Sequence, residues 1–214
     1  MMPSSVWVRV VALAQLAAVA LLPAVAAATT KGLSQIVTPD LQPAGELTVS
    51  GQAQDRAIGN PWQLQAELGL NDWAEVAAFQ GFSPNEQWAA AEFGILRTQP
   101  LLLSSGFIAW SSKGDAPQPF VEAGWYREHA KCVGGVLRAG GHTEALLGFA
   151  WDFNPRWRAQ VDYQAGADNS ATFGITWTPN ERWQLNPAVY RENGAGHALR
   201  AYVVASYSLA LWQH

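Results

Sequence analysis

Apolar and polar residues alternate with a period of two through most of the chain beyond Leu47. In "WQLQAELGL", Trp62, Leu64, Ala66, Leu68 and Leu70 fall on one side of an extended backbone, with Gln63, Gln65, Glu67 and Gly69 on the other. In "EALLGFAWDF", Ala145, Leu147, Phe149, Trp151 and Phe153 oppose Glu144, Leu146, Gly148, Ala150 and Asp152. "RWRAQVDYQ" and "ATFGITWT" repeat the arrangement. No stretch of about 11 residues keeps the i, i+3, i+4 spacing of an amphipathic helix. The breakers between runs, such as "NPR" at 154–156, "GADNS" at 166–170 and "PNER" at 179–182, suit tight hairpins. They are too short for crossover helices, so neighbouring strands are antiparallel. The pattern predicts about twelve strands, or about ten if the weaker alternation from Arg97 to Arg138 yields fewer.

Period two does not say which face meets water. A soluble barrel points its apolar face inward, whereas an outer-membrane barrel turns it to lipid and lines its lumen with the mixed face. Three features favour the second. The mixed face carries Gln, Thr, Gly, Asn and Ala rather than the dense charge that keeps a soluble surface dispersed. Trp151 and Trp157 flank one turn and Trp177 and Trp183 the next, where a membrane interface favours indoles. Closure into a barrel also protects the edges of an all-antiparallel chain. Asn followed closely by Trp recurs at Asn60, Asn71, Asn85, Asn154 and Asn180. With a final strand from about His197 to Trp212 ending in the periplasm, the turns at Asn154 and Asn180 are periplasmic and the strand number is even. Trp62, Trp151, Trp157, Trp177, Trp183 and Trp212 are the expected interface girdle, with Trp183 facing Trp177 across its hairpin. Pro187 lacks a donor for the ladder, so a bulge or local break is expected there.

Composition agrees. Charged residues are 14% of the chain, against roughly 25% in soluble domains. There are eleven tryptophans, of which only Trp7 precedes the strands and lies in a leader. That leader has Arg9 ahead of the apolar run Val10–Leu22, then Pro23 and small residues through Ala28. It reads as a secretory signal peptide over residues 1–28, since a transmembrane helix needs about 20 apolar residues. Residues 29–45, with two prolines and no periodicity, read as an N-terminal tail or linker with a possible plug-like contact; residues 46–214 are the barrel. A net charge of −4 gives no basis for nucleic-acid binding. Cys132 is alone, so no internal disulfide forms.

The run "GFAWDFNPRWRAQVDYQAGADNSATFGITWTPNERWQLNPAVY", residues 148 to 190, resembles the C-terminal hairpins of small, largely uncharacterised Gram-negative outer-membrane β-barrel proteins loosely grouped as porin-like. The likeness extends back to about Leu64 through "ELGLNDWAEVAAF". It implies a closed up-and-down barrel in the outer membrane, surrounded by outer-membrane lipid and inserted by the barrel-assembly machinery. It carries no functional residues, and a monomer is the favoured state.

Candidate chemistry is sparse. His129 and Cys132 would need two further ligands to hold a metal, so neither metal nor cofactor is expected. Candidates for a hydrolytic site are His142 with Glu144, or His197 on the strand of Ser206 and Ser208, but no nucleophile motif is present. The expected lumen-lining charges are Glu67, Glu92, Glu122, Arg138, Glu144, Asp152, Arg158 and Asp162, an acid-rich set. Gly69, Gly94, Gly124, Gly148 and Gly174 share that face and leave room for water. The leading expectation is a non-enzymatic, narrow porin-like channel for small polar or cationic solutes. The alternatives are a non-conducting barrel, with residues 111–118 as an exposed loop, and a lipid hydrolase.

Overall fold

Each period-two run bonds through its main chain to the run before and the run after it, and the last bonds to the first. The computed structural model describes residues 32–57, 60–111, 113, 116–194 and 196–212; the leader at 1–28 lies outside these. The strands are β1 (Glu46–Gln54), β2 (Trp62–Asn71), β3 (Ala74–Phe82), β4 (Asn85–Thr98), β5 (Leu101–Ser111) and β6 (Gln118–Tyr126). They continue as β7 (Ala130–Ala139), β8 (His142–Asn154), β9 (Trp157–Gln164), β10 (Ser170–Trp177), β11 (Trp183–Glu192) and β12 (Leu199–Ala210). All pairs are antiparallel, and the ladder from Glu46↔Ala210 to Gln54↔Tyr202 closes the barrel. The twelve-strand expectation holds, including through Arg97–Arg138, where β5 meets β4 with irregular register at Phe107–Trp110, opposite Ala91 and Ala89, and at Leu103–Ser104, opposite Leu96 and Gly94.

The apolar face is the outer one. Leu64, Leu147, Phe149, Phe173 and Ile175 are exposed, whereas Glu67, Glu92, Glu122, Gln160, Asp162, Thr172 and Ser206 are buried within. One rim holds the start of β1 and the end of β12, and also the turns β8–β9 and β10–β11; it is the terminal rim, and the opposite one is the far rim. Trp151, Trp157, Trp177 and Trp183 are exposed on the outer wall at the terminal rim, and Trp62 at the far rim. Trp212 follows β12, with its indole edge where a Cβ on Gly45 would stand.

The indole pairing differs from expectation. Trp177 lies opposite Trp157 and stacks on it with centroids 6.0 Å apart, while Trp183 packs on Tyr207 at 5.0 Å. The register sets Trp177 against Leu185, so Trp183 lies two residues past that pair, beyond the end of β10. Trp88 also departs from the turn-plus-Trp pattern. β4 begins at Asn85, which gives Trp88 inward parity, and it stacks on Phe79 with centroids 5.5 Å apart, both rings lining the lumen.

Pro187 lies at a local break and not at a bulge. β11 pairs with β12 without interruption through Pro187↔Val203. On the β10 side the pairs run to Gly174↔Ala188 and resume at Trp177↔Leu185 in the same register. Across the gap, the Asn186 side-chain amide donates to Thr176 Oγ1 at 3.0 Å. Restoring the donor with Pro187→Val should raise stability by about 1 kcal/mol, read as a shift of the urea midpoint at unchanged slope.

Candidate functional site

Twelve strands enclose more space than the small inward side chains of this barrel fill. Residues 32–45 occupy much of it. Gly45 donates its N–H to Gly69 O at the terminal rim, and the segment runs from there into the lumen. Leu33, Ile36, Thr38, Leu41 and Gln42 are buried. The inward glycines mark its course. A Cβ at Gly69 would fall on the Pro43 carbonyl oxygen, at Gly148 on Leu33, and at Gly174 on Ser34 Oγ. A Cβ at Gly124 would lie 2.8 Å from Pro39 Cγ, and at Gly94 3.3 Å from Leu41 Cδ1. These are the five glycines expected to leave room for water; the room is taken by chain.

The inner wall has two characters. Leu102, Phe120, Val133, Leu137, Leu146 and Ala150, from β5 to β8, form an apolar cluster that Leu33 and Ile36 complete. The rest is polar. Asp162 Oδ2 accepts the main-chain N–H groups of Ser34 (2.6 Å) and Gln35 (3.1 Å), and Glu75 Oε2 accepts that of Gln42 (2.6 Å). The Tyr202 hydroxyl donates to Ser34 O at 2.6 Å. Near the terminal rim, Lys131 Nζ and the Tyr126 hydroxyl donate to the two oxygens of Asp40 at 2.8 and 2.6 Å. Burial acts to raise the Asp40 carboxyl, but Lys131 and the hydroxyls of Thr38 and Tyr126 override it and hold the carboxyl below its ordinary value.

What the segment leaves is a cavity of about 330 Å³ against β1–β6, β11 and β12. Glu67, Glu75 and Glu92, hydroxyls of Thr48, Ser50 and Ser206, amides of Gln52 and Gln65, and the Phe79–Trp88 pair line it, and among the described residues no lysine or arginine does. A second recess of about 140 Å³, near the terminal rim, is lined by Asp40, Lys131, Asp152, Arg158 and Gln184 among others. Between them stands a hydrogen-bonded septum. Gln160 Nε2 donates to Ser34 Oγ at 2.9 Å, Thr176 Oγ1 to Gln160 Oε1 at 3.4 Å, and Asn186 Nδ2 to Thr176 Oγ1.

Of the expected lumen charges, Glu67, Glu92, Glu122 and Asp162 are buried on the inner wall. Glu144 faces inward at the far rim, accepting from Gln164 (2.8 Å) and Asn169 (3.0 Å). Arg158 and Asp152 pair at the terminal rim through contacts of 2.6 and 3.3 Å. Arg138 is the exception. β7 turns Val133, Gly135 and Leu137 inward, so parity puts Arg138 outside, beside the Gly140–Gly141 turn. Glu75, Asp40 and Lys131 were missed, although Glu75 shares the parity of Phe79 and Gly81 in β3. The hydrolase candidates are not brought together. Ser206 and Ser208 bond to Ser50 and Thr48 deep in the barrel, while His197 sits at the far-rim loop, some 30 Å along the strand from Ser206. His142 and Glu144 belong to the far rim, remote from those serines. Among the described residues no three His, Cys, Asp or Glu side chains stand together as a metal site requires.

The lowered Asp40 carboxyl contributes to docking of the segment above its ordinary value of 3.8, and that contribution is lost as pH falls through the lower docked value. Pepsin cleavage within Leu33–Leu41 should therefore appear in the wild type only below about pH 4. Asp40→Asn, which leaves Lys131 without its anion at a cost of about 1–3 kcal/mol, should be cut at all acid pH values without that step.

No family model matches this sequence, and no curated protein does either. Solved structures match in fold. The KdgM porin superposes with a TM-score of 0.56 at 11% identity, over 77% of this chain and 99% of that one. The KdgM porin in complex with disordered oligogalacturonate gives 0.57 at 11%, over the same shares. The NanC porin gives 0.52 at 10%, over 75% of this chain and 98% of that one. The chain has the closed-barrel fold of these porins.

Proposed function

We propose that this protein is an outer-membrane channel, a narrow porin-like and non-enzymatic pathway for small polar or cationic solutes. One observation carries the reading. The barrel is apolar outside with tryptophans at its rims, and encloses a cavity lined by Glu67, Glu75, Glu92, hydroxyls and amides, with no basic side chain among the described residues. An apolar outer wall suits lipid, and water inside an acid-rich wall favours cations. The porin fold of its structural neighbours supports the same reading. The oligogalacturonate in one KdgM structure is not carried over, because a string of carboxylates would meet Glu67, Glu75 and Glu92 at close quarters. In this reading residues 1–28 direct export and are removed. The assembly machinery inserts the barrel as a monomer, with the terminal rim in the periplasm.

The septum around Ser34 favours a second reading, a barrel that does not conduct. Planar-bilayer recording separates the two. The channel should show cation-selective reversal potentials, and Glu67→Gln with Glu92→Gln should move them toward zero. Silence from both the wild type and a folded variant lacking residues 32–44 would overturn the channel reading. Membrane placement has its own check: Phe173→Arg, on the outer wall, should cost about 2–4 kcal/mol on refolding into lipid vesicles. A change near zero would mean that this face meets water.

A further inference from the structure

We propose that the inner wall is a binding site for a bent peptide, and that residues 32–44, which turn back through the Leu33 N–H to Ile36 O bond, are its resident, tethered ligand. Vacated, the same wall would take that peptide in trans. The proposal rests on the channel reading only for its effect on current.

The wall reads main chain. Asp162 and Glu75 accept three backbone N–H groups of the segment, and Tyr202 donates to one of its carbonyls. Such contacts hold any chain that takes the same bend at those positions and leave choice to the side-chain sockets. The sockets are present. Leu33 and Ile36 enter the apolar cluster around Phe120, Val133 and Leu146. The Asp40 carboxylate meets Lys131 and Tyr126 near the terminal rim. At Gly69, Gly148 and Gly174 the wall lacks the one atom that would strike the ligand.

The barrel does not need the segment to complete its sheet. β1 to β12 satisfy one another around the ring, and the segment adds only the isolated bridge Ala44↔Gly69. It is joined to β1 at the terminal rim, so it occupies its site at an effective concentration on the order of millimolar. It also supplies Ser34, the member of the septum that does not belong to the wall. Removing it leaves only the wall members Gln160, Thr176 and Asn186 between the cavity and the terminal recess.

The test uses a variant lacking residues 32–44 and a fluorescent synthetic peptide of sequence GLSQIVTPDLQPA. The variant should bind it saturably, at least tenfold more tightly than a scrambled peptide, and Gly148→Leu in the variant should weaken binding at least tenfold. The full-length protein, its site filled, should bind at least tenfold more weakly than the deletion variant. Equal binding of native and scrambled peptides by a folded variant would overturn the proposal. So would equal binding by the full-length protein.

If the deletion does not fold, the full chain provides a second measurement. Ser34→Cys with Gly174→Cys, in a Cys132→Ser background, brings two thiols within disulfide reach. Free peptide above about millimolar, added before oxidation, should lower the crosslink yield at least twofold. An unchanged yield means that the segment is fixed structure and not a ligand. In bilayers, peptide should close the current of the deletion variant. Peptide binding without current overturns the channel reading and leaves the peptide site standing, while current without peptide binding does the reverse.

Discussion

Closure of β12 on β1 is the constraint on which the rest of the structure depends. An antiparallel sheet leaves a row of unpaired N–H and C=O groups on each edge strand, and only a ring removes both rows. Once the ring is closed, every odd-or-even choice along a strand becomes inside or outside. The indoles at the terminal rim, the carboxylates within and the glycine row all follow from parity. A single-residue slip would exchange them. The ring also tolerates Pro187, because the lost main-chain bond on the β10 side is bridged by Asn186 and Thr176 while the β12 side stays paired.

A ring of twelve strands then raises a problem of filling. Its inner face carries glycine, serine and threonine at many positions, yet between β5 and β8 it also carries Leu102, Phe120, Val133, Leu137 and Leu146. Apolar side chains facing a water-filled lumen would be unfavourable. Leu33 and Ile36 cover them, while the segment's main chain is satisfied by carboxylates and a tyrosine hydroxyl. The lumen is therefore lopsided. Its apolar half is sealed by the chain's own residues, and its polar half remains open against Glu67, Glu75 and Glu92. In the proposed channel, a solute would meet acid, amide and hydroxyl groups beside the Phe79–Trp88 pair and then the Ser34 septum.

Strand number, antiparallel order and the outward direction of the apolar face are legible in the sequence, since each depends on local alternation and short turns. Some positions are not. Arg138 was assigned inward because it is charged, but parity counted from Val133 and Leu137 turns it out. Trp88 was grouped with the turn tryptophans, but its strand begins three residues earlier. The glycine row was recognised and its meaning inverted, because missing side chains look alike whether water or another chain fills the space. Adjacent apolar residues such as Val136-Leu137 and Leu146-Leu147, one outside and one inside, were the available signal for a covered inner patch.

The amino-acid sequence alone determined the elements of this protein and the two chemistries of its sheet. Hydrogen bonding and side-chain direction within a strand repeat every two residues, and that period is written locally. Only the tertiary structure decided what lies inside the ring. Residues 32–45 have no period to betray a partner, and their contacts are with Gly69, Glu75, Gly148, Asp162 and Tyr202, which are distant in sequence. Those residues converge only when twelve strands have closed around a common axis, which no local pattern encodes.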